Sequence, residues 1–82
     1  MEKNKILCEF YSYEEAVNKT TGQIYGILKV VYCDVIVKMF IPNSTLNTKF
    51  KDIKRYTAMS LTVEIKVNSN DQFILVPFDV EF

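Results

Sequence analysis

Apolar and polar positions alternate with a period of two along most of these 82 residues, and the longest such stretch is the ribbon 21–41. It is rich in β-branched and aromatic residues and pauses once, at Cys33-Asp34, which predicts two antiparallel strands, 23–32 and 35–41. In the first, Ile24, Gly26, Leu28, Val30 and Tyr32 share one side, while Gln23, Tyr25, Ile27, Lys29 and Val31 share the other. In the second, Val35, Val37, Met39 and Ile41 point inward, and Ile36, Lys38 and Phe40 outward. Gly26 in mid-strand predicts a bulge or strong bend. The outward side of this ribbon is partly apolar and calls for a partner, either nucleobases or a second subunit.

Before the ribbon, residues 5–11 read as a strand with Ile6, Cys8 and Phe10 on one face. Ser12-Tyr13-Glu14-Glu15 matches a helix capping box, while an equally good reading extends the strand to Val17. Residues 18–22 form a turn, and Pro42-Asn43-Ser44 ends the ribbon. Leu46, Phe50 and Ile53 then recur at i, i+4, i+7, which predicts a short amphipathic helix over about 47–55, with Ser44, Thr45 or Asn47 as its cap. Residues 59–67 alternate cleanly, with Met59, Leu61, Val63, Ile65 and Val67 inward and Ser60, Thr62, Glu64 and Lys66 outward. A turn at 68–71 leads to a last strand over about 72–80, where Pro77 marks an edge or a bulge. Phe10, Phe50, Phe73 and Phe78 are assigned to the core.

The fold class is therefore all-β with a small α content. Strand, strand, strand, short helix, strand, strand is the order of a five-stranded OB-like barrel with a helix between strands 3 and 4. An SH3-like barrel or an open β-sandwich fits the same pattern. The whole of 1–82 reads as a single OB-like domain, near the lower size limit for burying a core unaided. No apolar stretch is long enough to span a bilayer, and the polar start Met1-Glu2-Lys3-Asn4-Lys5 is unlike a signal peptide, so the expected location is the cytoplasm, away from membranes.

Charge changes the picture more than composition does. The formal net charge is zero, yet residues 1–18 sum to −2, residues 19–66 to +5 and residues 67–82 to −3. A basic middle between acidic ends leaves room for a basic surface. There is no histidine, no glycine-rich phosphate loop and no nucleophile elbow, so the chain is not expected to be an enzyme. Cys8 and Cys33 lack metal-site spacing and lie among apolar strand residues, where a free thiol acts as a small core side chain. No metal and no cofactor is expected.

What remains is a binding surface. Single strands of nucleic acid are held by aromatic rings that stack on bases and by cations that follow the phosphates. The candidates are Tyr25, Lys29, Lys38 and Phe40 on the ribbon and Lys19 at its tip, with Lys49, Lys51 and Arg55 extending the electrostatic track.

Three stretches, under a fifth of the chain, resemble the filamentous-phage gene V type of single-stranded-DNA-binding protein: Gly22-Gln23-Ile24-Tyr25, Val35-Ile36-Val37-Lys38 and Leu75-Val76-Pro77. That family is a small OB-like β-barrel, works as a dimer and coats strands cooperatively. The resemblance implies DNA contacts for Tyr25 and Lys38, a homodimer, and an origin in a phage or mobile element. The connection between Tyr25 and Lys38 is shorter than the family's, and no arginine stands near the wing. The ending Phe78-Asp79-Val80-Glu81-Phe82 is also similar to the acidic, phenylalanine-terminated tail by which bacterial single-stranded-DNA-binding proteins recruit partners, although Val80 and Phe82 equally suit the end of the last strand.

The expected function is thus nonenzymatic binding of single-stranded DNA, or RNA. The alternative is a protein–protein interaction or assembly module of a phage or mobile element that binds no nucleic acid and pairs through Tyr25, Ile27, Ile36 and Phe40.

Overall fold

The computed structural model describes residues 3–42 and 45–82. Five strands, β1 (Lys3–Val17), β2 (Ile24–Tyr32), β3 (Val35–Ile41), β4 (Ala58–Val67) and β5 (Phe73–Glu81), form one antiparallel sheet in the order β3-β2-β1-β4-β5. β1 is the hinge of the fold. Its first half pairs with β4 and its second half with β2, so one long strand belongs to both sides of the molecule. The change of partner coincides with a bulge between Phe10 and Ser12, which leaves Tyr11 as the extra residue. The end strands β3 and β5 come together across a crevice lined by Val37, Lys38, Met39, Phe40, Phe73, Ile74 and Leu75 without joining the hydrogen-bonded ladder. The barrel is therefore open at one seam.

Of the two readings open for residues 12–15, the strand holds: β1 runs on to Val17, and the capping-box turn does not form. β3 has the expected bounds, and Cys33 and Asp34 both take positive φ (52° and 63°), as a two-residue hairpin turn between Tyr32 and Val35 requires. The helix between β3 and β4 is shorter than the 47–55 expected, a 3-10 helix over Thr45–Phe50. Asp52, at φ 63°, ends its continuation, yet Leu46 and Phe50 are still buried. Asn43-Ser44, read as the ribbon's break, Ser44 as a helix cap and the polar start Met1-Glu2 lie outside the described residues. None of the helices described is long and apolar enough to cross a membrane.

The core is built from the inward positions: Cys8 and Phe10 of β1, Leu28 and Val30 of β2, Met39 and Ile41 of β3, Met59, Leu61 and Val63 of β4, and Val80 of β5, closed below by Leu46 and Phe50. Phe50 is the plug, with ring contacts to Phe10, Tyr13 and Phe82 at centroid distances of 6.4, 5.8 and 6.3 Å.

Several expectations are corrected. Gly26 marks no bulge, since its neighbours pair in continuous register; a Cβ there would stand 2.7 Å from the Tyr13 ring, so the glycine makes room for that ring. Cys33 is exposed on its turn and is not a core side chain, whereas Cys8 is buried. Burial raises the Cys8 thiol above its ordinary pKa, which keeps it protonated and inert. Phe73 and Phe78 are exposed, not core. For Phe78 the cause is a bulge in β5, where Val63 pairs with Pro77 and Thr62 with Asp79, leaving Phe78 unpaired; Phe73 shares the parity of Leu75 and Pro77 but starts the strand opposite the exposed Val67, past the end of the core. Alternation also fails at the end of β4: Val67 is exposed, while Glu64 is buried, with Oε1 lacking a hydrogen-bond partner and Lys66 Nζ 3.8 Å away. Residues 78–81 finish β5, with Val80 in the core, and just beyond them the Phe82 ring lies against Phe50.

Candidate nucleic-acid interface

The registers of β1, β2 and β3 decide which side chains meet on the outer face. Ser12 pairs with Lys29 and Lys29 with Lys38; Glu14 pairs with Ile27 and Ile27 with Phe40; Ala16 pairs with Tyr25. These rows lie two residues apart, roughly 6.7 Å along the strands. Tyr25, Lys29, Lys38 and Phe40 therefore emerge on one face, as the alternation predicts.

The aromatic part of that face is a tilted pair, Tyr25 and Phe40, with ring centroids 6.0 Å apart. The Lys38 ammonium lies 5.3 Å from the Phe40 centroid, within reach of a cation–π attraction that holds it beside the ring. Phe40 is 48% exposed beside these two neighbours. Lys29 and Lys38 stand directly opposite one another, and neither forms an ion pair among the described residues. Like charges at directly opposed positions destabilise a sheet. Two cations placed this way are relieved by an anion between them.

Beyond Tyr25 the hairpin tip adds a groove of about 690 Å³ lined by Val17, Asn18, Lys19, Gln23, Ile24, Tyr25, Phe40 and Pro42. The tip is ordered by Asn18, whose side-chain oxygen accepts from the Thr20 and Thr21 backbone N–H groups, and by Gly22 at φ 74°. Lys19 is thus brought to the same site as Tyr25 and Phe40. Gln23 and Pro42 line the groove although their types gave no sign of it in the sequence.

The remaining cations have other company. Lys49 Nζ donates to Asp79 Oδ1 at 2.9 Å. That hydrogen bond, followed by one from the Val80 N–H, holds the Asp79 carboxyl below its usual range. Lys51 lines a separate hollow with Glu14, Glu15 and Asp52. There the Tyr13 hydroxyl donates to Glu15 at 3.0 Å, and burial first, then the Glu15 carboxylate, push its pKa up to about 12. Arg55 packs over the Tyr11 ring with 4.4 Å between guanidinium carbon and centroid, and its Nε donates to the Tyr11 carbonyl at 3.1 Å. Tyr56 meets the same ring edge-on at 6.3 Å. Tyr11, half-buried, and Tyr56, exposed, were not singled out by sequence, because their meeting depends on the β1 bulge and on a turn that contains no glycine. Among the described residues no group of three or more potential ligands could hold a metal ion.

No family model matches the chain, and no curated protein matches it. Among solved structures, the chain is similar to the SSB domain of a protein from Synechococcus sp., with a TM-score of 0.70 over 100% of this chain and 96% of that one, at 10% sequence identity. The five-stranded, OB-like fold class is thereby established. The likeness supports an SSB-like fold and does not single out the gene V type.

Proposed function

We propose that the chain is a nonenzymatic single-stranded nucleic-acid-binding protein, with DNA as its ligand, and that it holds the strand on the outer face of β1, β2 and β3. The observation that carries this reading is the directly opposed pair Lys29 and Lys38 beside the Phe40 and Tyr25 rings. Phosphates take the lysines, bases stack on the rings, and Lys19 continues the track past the hairpin tip. The likeness in fold to an SSB domain agrees with this ligand, as does the placement of Tyr25 and Lys38, the two positions to which the gene V resemblance assigns DNA contacts.

Fluorescence anisotropy with labelled DNA and RNA oligonucleotides at low salt tests the proposal. Tyr25→Ala and Phe40→Ala are each expected to weaken binding by about 1 kcal/mol or more, the lower end of what one stacked base contributes. The melting temperature should stay within a few degrees of wild type. Absence of salt-dependent binding at tens of micromolar protein would overturn the proposal, and a large loss of stability would assign the rings to packing instead. RNA bound as tightly as DNA would widen the ligand class.

A second reading, self-association into a homodimer or assembly module, is favoured by the exposed Val35 and Ile36 on β3 and by Phe73 and Ile74 on β5, at the two strands that end the sheet. If it holds, light scattering gives a dimer mass that Phe40→Glu or Ile36→Glu reduces to a monomer. A monomeric wild type removes it.

A further inference from the structure

Arg55 and Tyr56 occupy the centre of a turn closed by the Thr57 N–H donating to the Lys54 carbonyl at 3.2 Å. Tyr56 takes φ 70°, its N–H donates to the Phe10 carbonyl, and the Phe10 N–H donates to the Thr57 carbonyl at 2.9 Å. This is a bulge whose first residue lies in the left-handed region, where glycine or asparagine is the ordinary choice and a bulky aromatic is an outlier. The unfavourable backbone is not compensated by burial, because Tyr56 is 58% exposed and its ring meets Tyr11 in a T-shaped contact. Tyr11 itself does not belong to the side chains packed against the core.

The position of this cluster gives it meaning. Tyr11 precedes Ser12, and Ser12 continues the row of Lys29 and Lys38. Going round the barrel, the outer surface therefore runs Lys38, Lys29, Ser12 with Tyr11, then Tyr56, about three strand spacings or roughly 14 Å. Arg55 stands over Tyr11 with its terminal nitrogens unpaired by any carboxylate among the described residues. A planar cation on one ring and an exposed second ring beside it, at the end of a row of unpaired lysines, suit a phosphate and an adjoining base.

We propose that Tyr11, Arg55 and Tyr56 form a second nucleotide platform, which takes the next base and phosphate of the strand held by Lys29, Lys38, Tyr25 and Phe40. The proposal rests on the nucleic-acid reading of that face. Charge complementarity commits it to one occupant: the charged members of the row itself, Lys38, Lys29 and Arg55, are all cations, the exposed Glu9 and Glu14 lie one row to either side, and the Tyr56 ring is exposed beside Arg55.

The test uses the full chain with oligothymidylates of four and ten nucleotides. Tyr56→Gly removes the ring and at the same time suits the positive φ, so its melting temperature is expected to equal or exceed that of wild type. Its affinity for the ten-nucleotide strand should fall about tenfold, a typical loss for one stacked base, while affinity for the four-nucleotide strand stays within about twofold. Arg55→Gln should show the same length dependence and a shallower salt slope. If Tyr25→Ala weakens binding while Tyr56→Gly leaves both lengths unchanged, the platform is wrong and the primary site stands. If Tyr56→Gly lowers the melting temperature and weakens both lengths equally, the ring is structural and the platform is again wrong. If wild type binds neither strand, the nucleic-acid reading falls and the platform falls with it.

Discussion

Phe50→Ala is expected to lose about 3 to 5 kcal/mol of stability, enough to leave much of the chain unfolded at 37 °C. A domain of this length has roughly 4 to 12 kcal/mol in total, so one such loss removes a large share. Phe50 is 1% exposed and sits in the 3-10 helix that closes the lower end of the barrel. Its ring contacts the rings of Phe10 and Tyr13 from β1 and Phe82 just beyond β5, so truncation opens a cavity between elements that do not otherwise pair there. The neighbours cannot collapse into it cheaply, because Tyr13 is already confined against Gly26. Urea unfolding measures the effect, and Phe73→Ala is the control. Phe73 is 78% exposed, and its removal should change stability by less than about 0.5 kcal/mol. A loss below about 1 kcal/mol for Phe50→Ala would show that the 3-10 segment is not part of the cooperative core.

Phe50 and Phe73 illustrate where the sequence informs and where it stops. Both are phenylalanines preceded by a polar residue, and composition treats them alike. Phe50 belongs to a spacing, Leu46, Phe50 and Ile53, that puts three apolar groups on one side of any helical turn, and the burial of the first two survives the replacement of the expected helix by a tighter and shorter one. Phe73 shares the parity of Leu75 and Pro77, but it begins its strand opposite the exposed Val67, where β4 and β5 run past the core, and no residue type marks where a core ends. At Tyr11 one extra residue in β1 puts Ser12 in the row of Lys29 and turns Tyr13 inward, a reset invisible until the pairing with β2 and β4 is known. Glu64 reads as a solvent position from alternation alone and is buried where β4 lies between β1 and β5.

The ribbon is the opposite case. Cys33-Asp34 fixes a two-residue turn, a two-residue turn fixes the register, and the register fixes the face of every side chain on β2 and β3. Tyr25, Lys29, Lys38 and Phe40 could be placed together because no bulge intervenes among them. What the sequence lacked was their relation to β1, and hence the continuation of the lysine row to Ser12 and the neighbouring Tyr11. The cations picked out around the 3-10 helix also separate on folding. Lys49 is paired with Asp79, Lys51 stands among carboxylates, and Arg55 alone lies near that row.

The lysine row carries the largest expected effect on binding. Replacing Lys29 and Lys38 together by glutamine should weaken single-strand binding by about 25-fold at 0.1 M salt. Each phosphate neutralised on a single strand contributes roughly 0.7 to the slope of log K against log salt, which at that concentration is about a factor of five per lysine. The slope itself should fall by about 1.4. Stability should move the other way: the two lysines pair directly across β2 and β3 with no carboxylate paired to either among the described residues, so removing them relieves a repulsion of a few tenths of a kcal/mol up to about 1 kcal/mol. Weaker binding together with an equal or higher melting temperature is the signature of a charge pair kept for an anionic ligand. Anisotropy across a salt series and thermal unfolding of the same variants measure both. If the double variant binds as wild type does, with an unchanged slope, the strand does not cross this face. If it binds less but also melts earlier, the aliphatic stems of the two lysines are packing against Ile27, Val31 and Phe40, and the loss of affinity reports damage to the sheet.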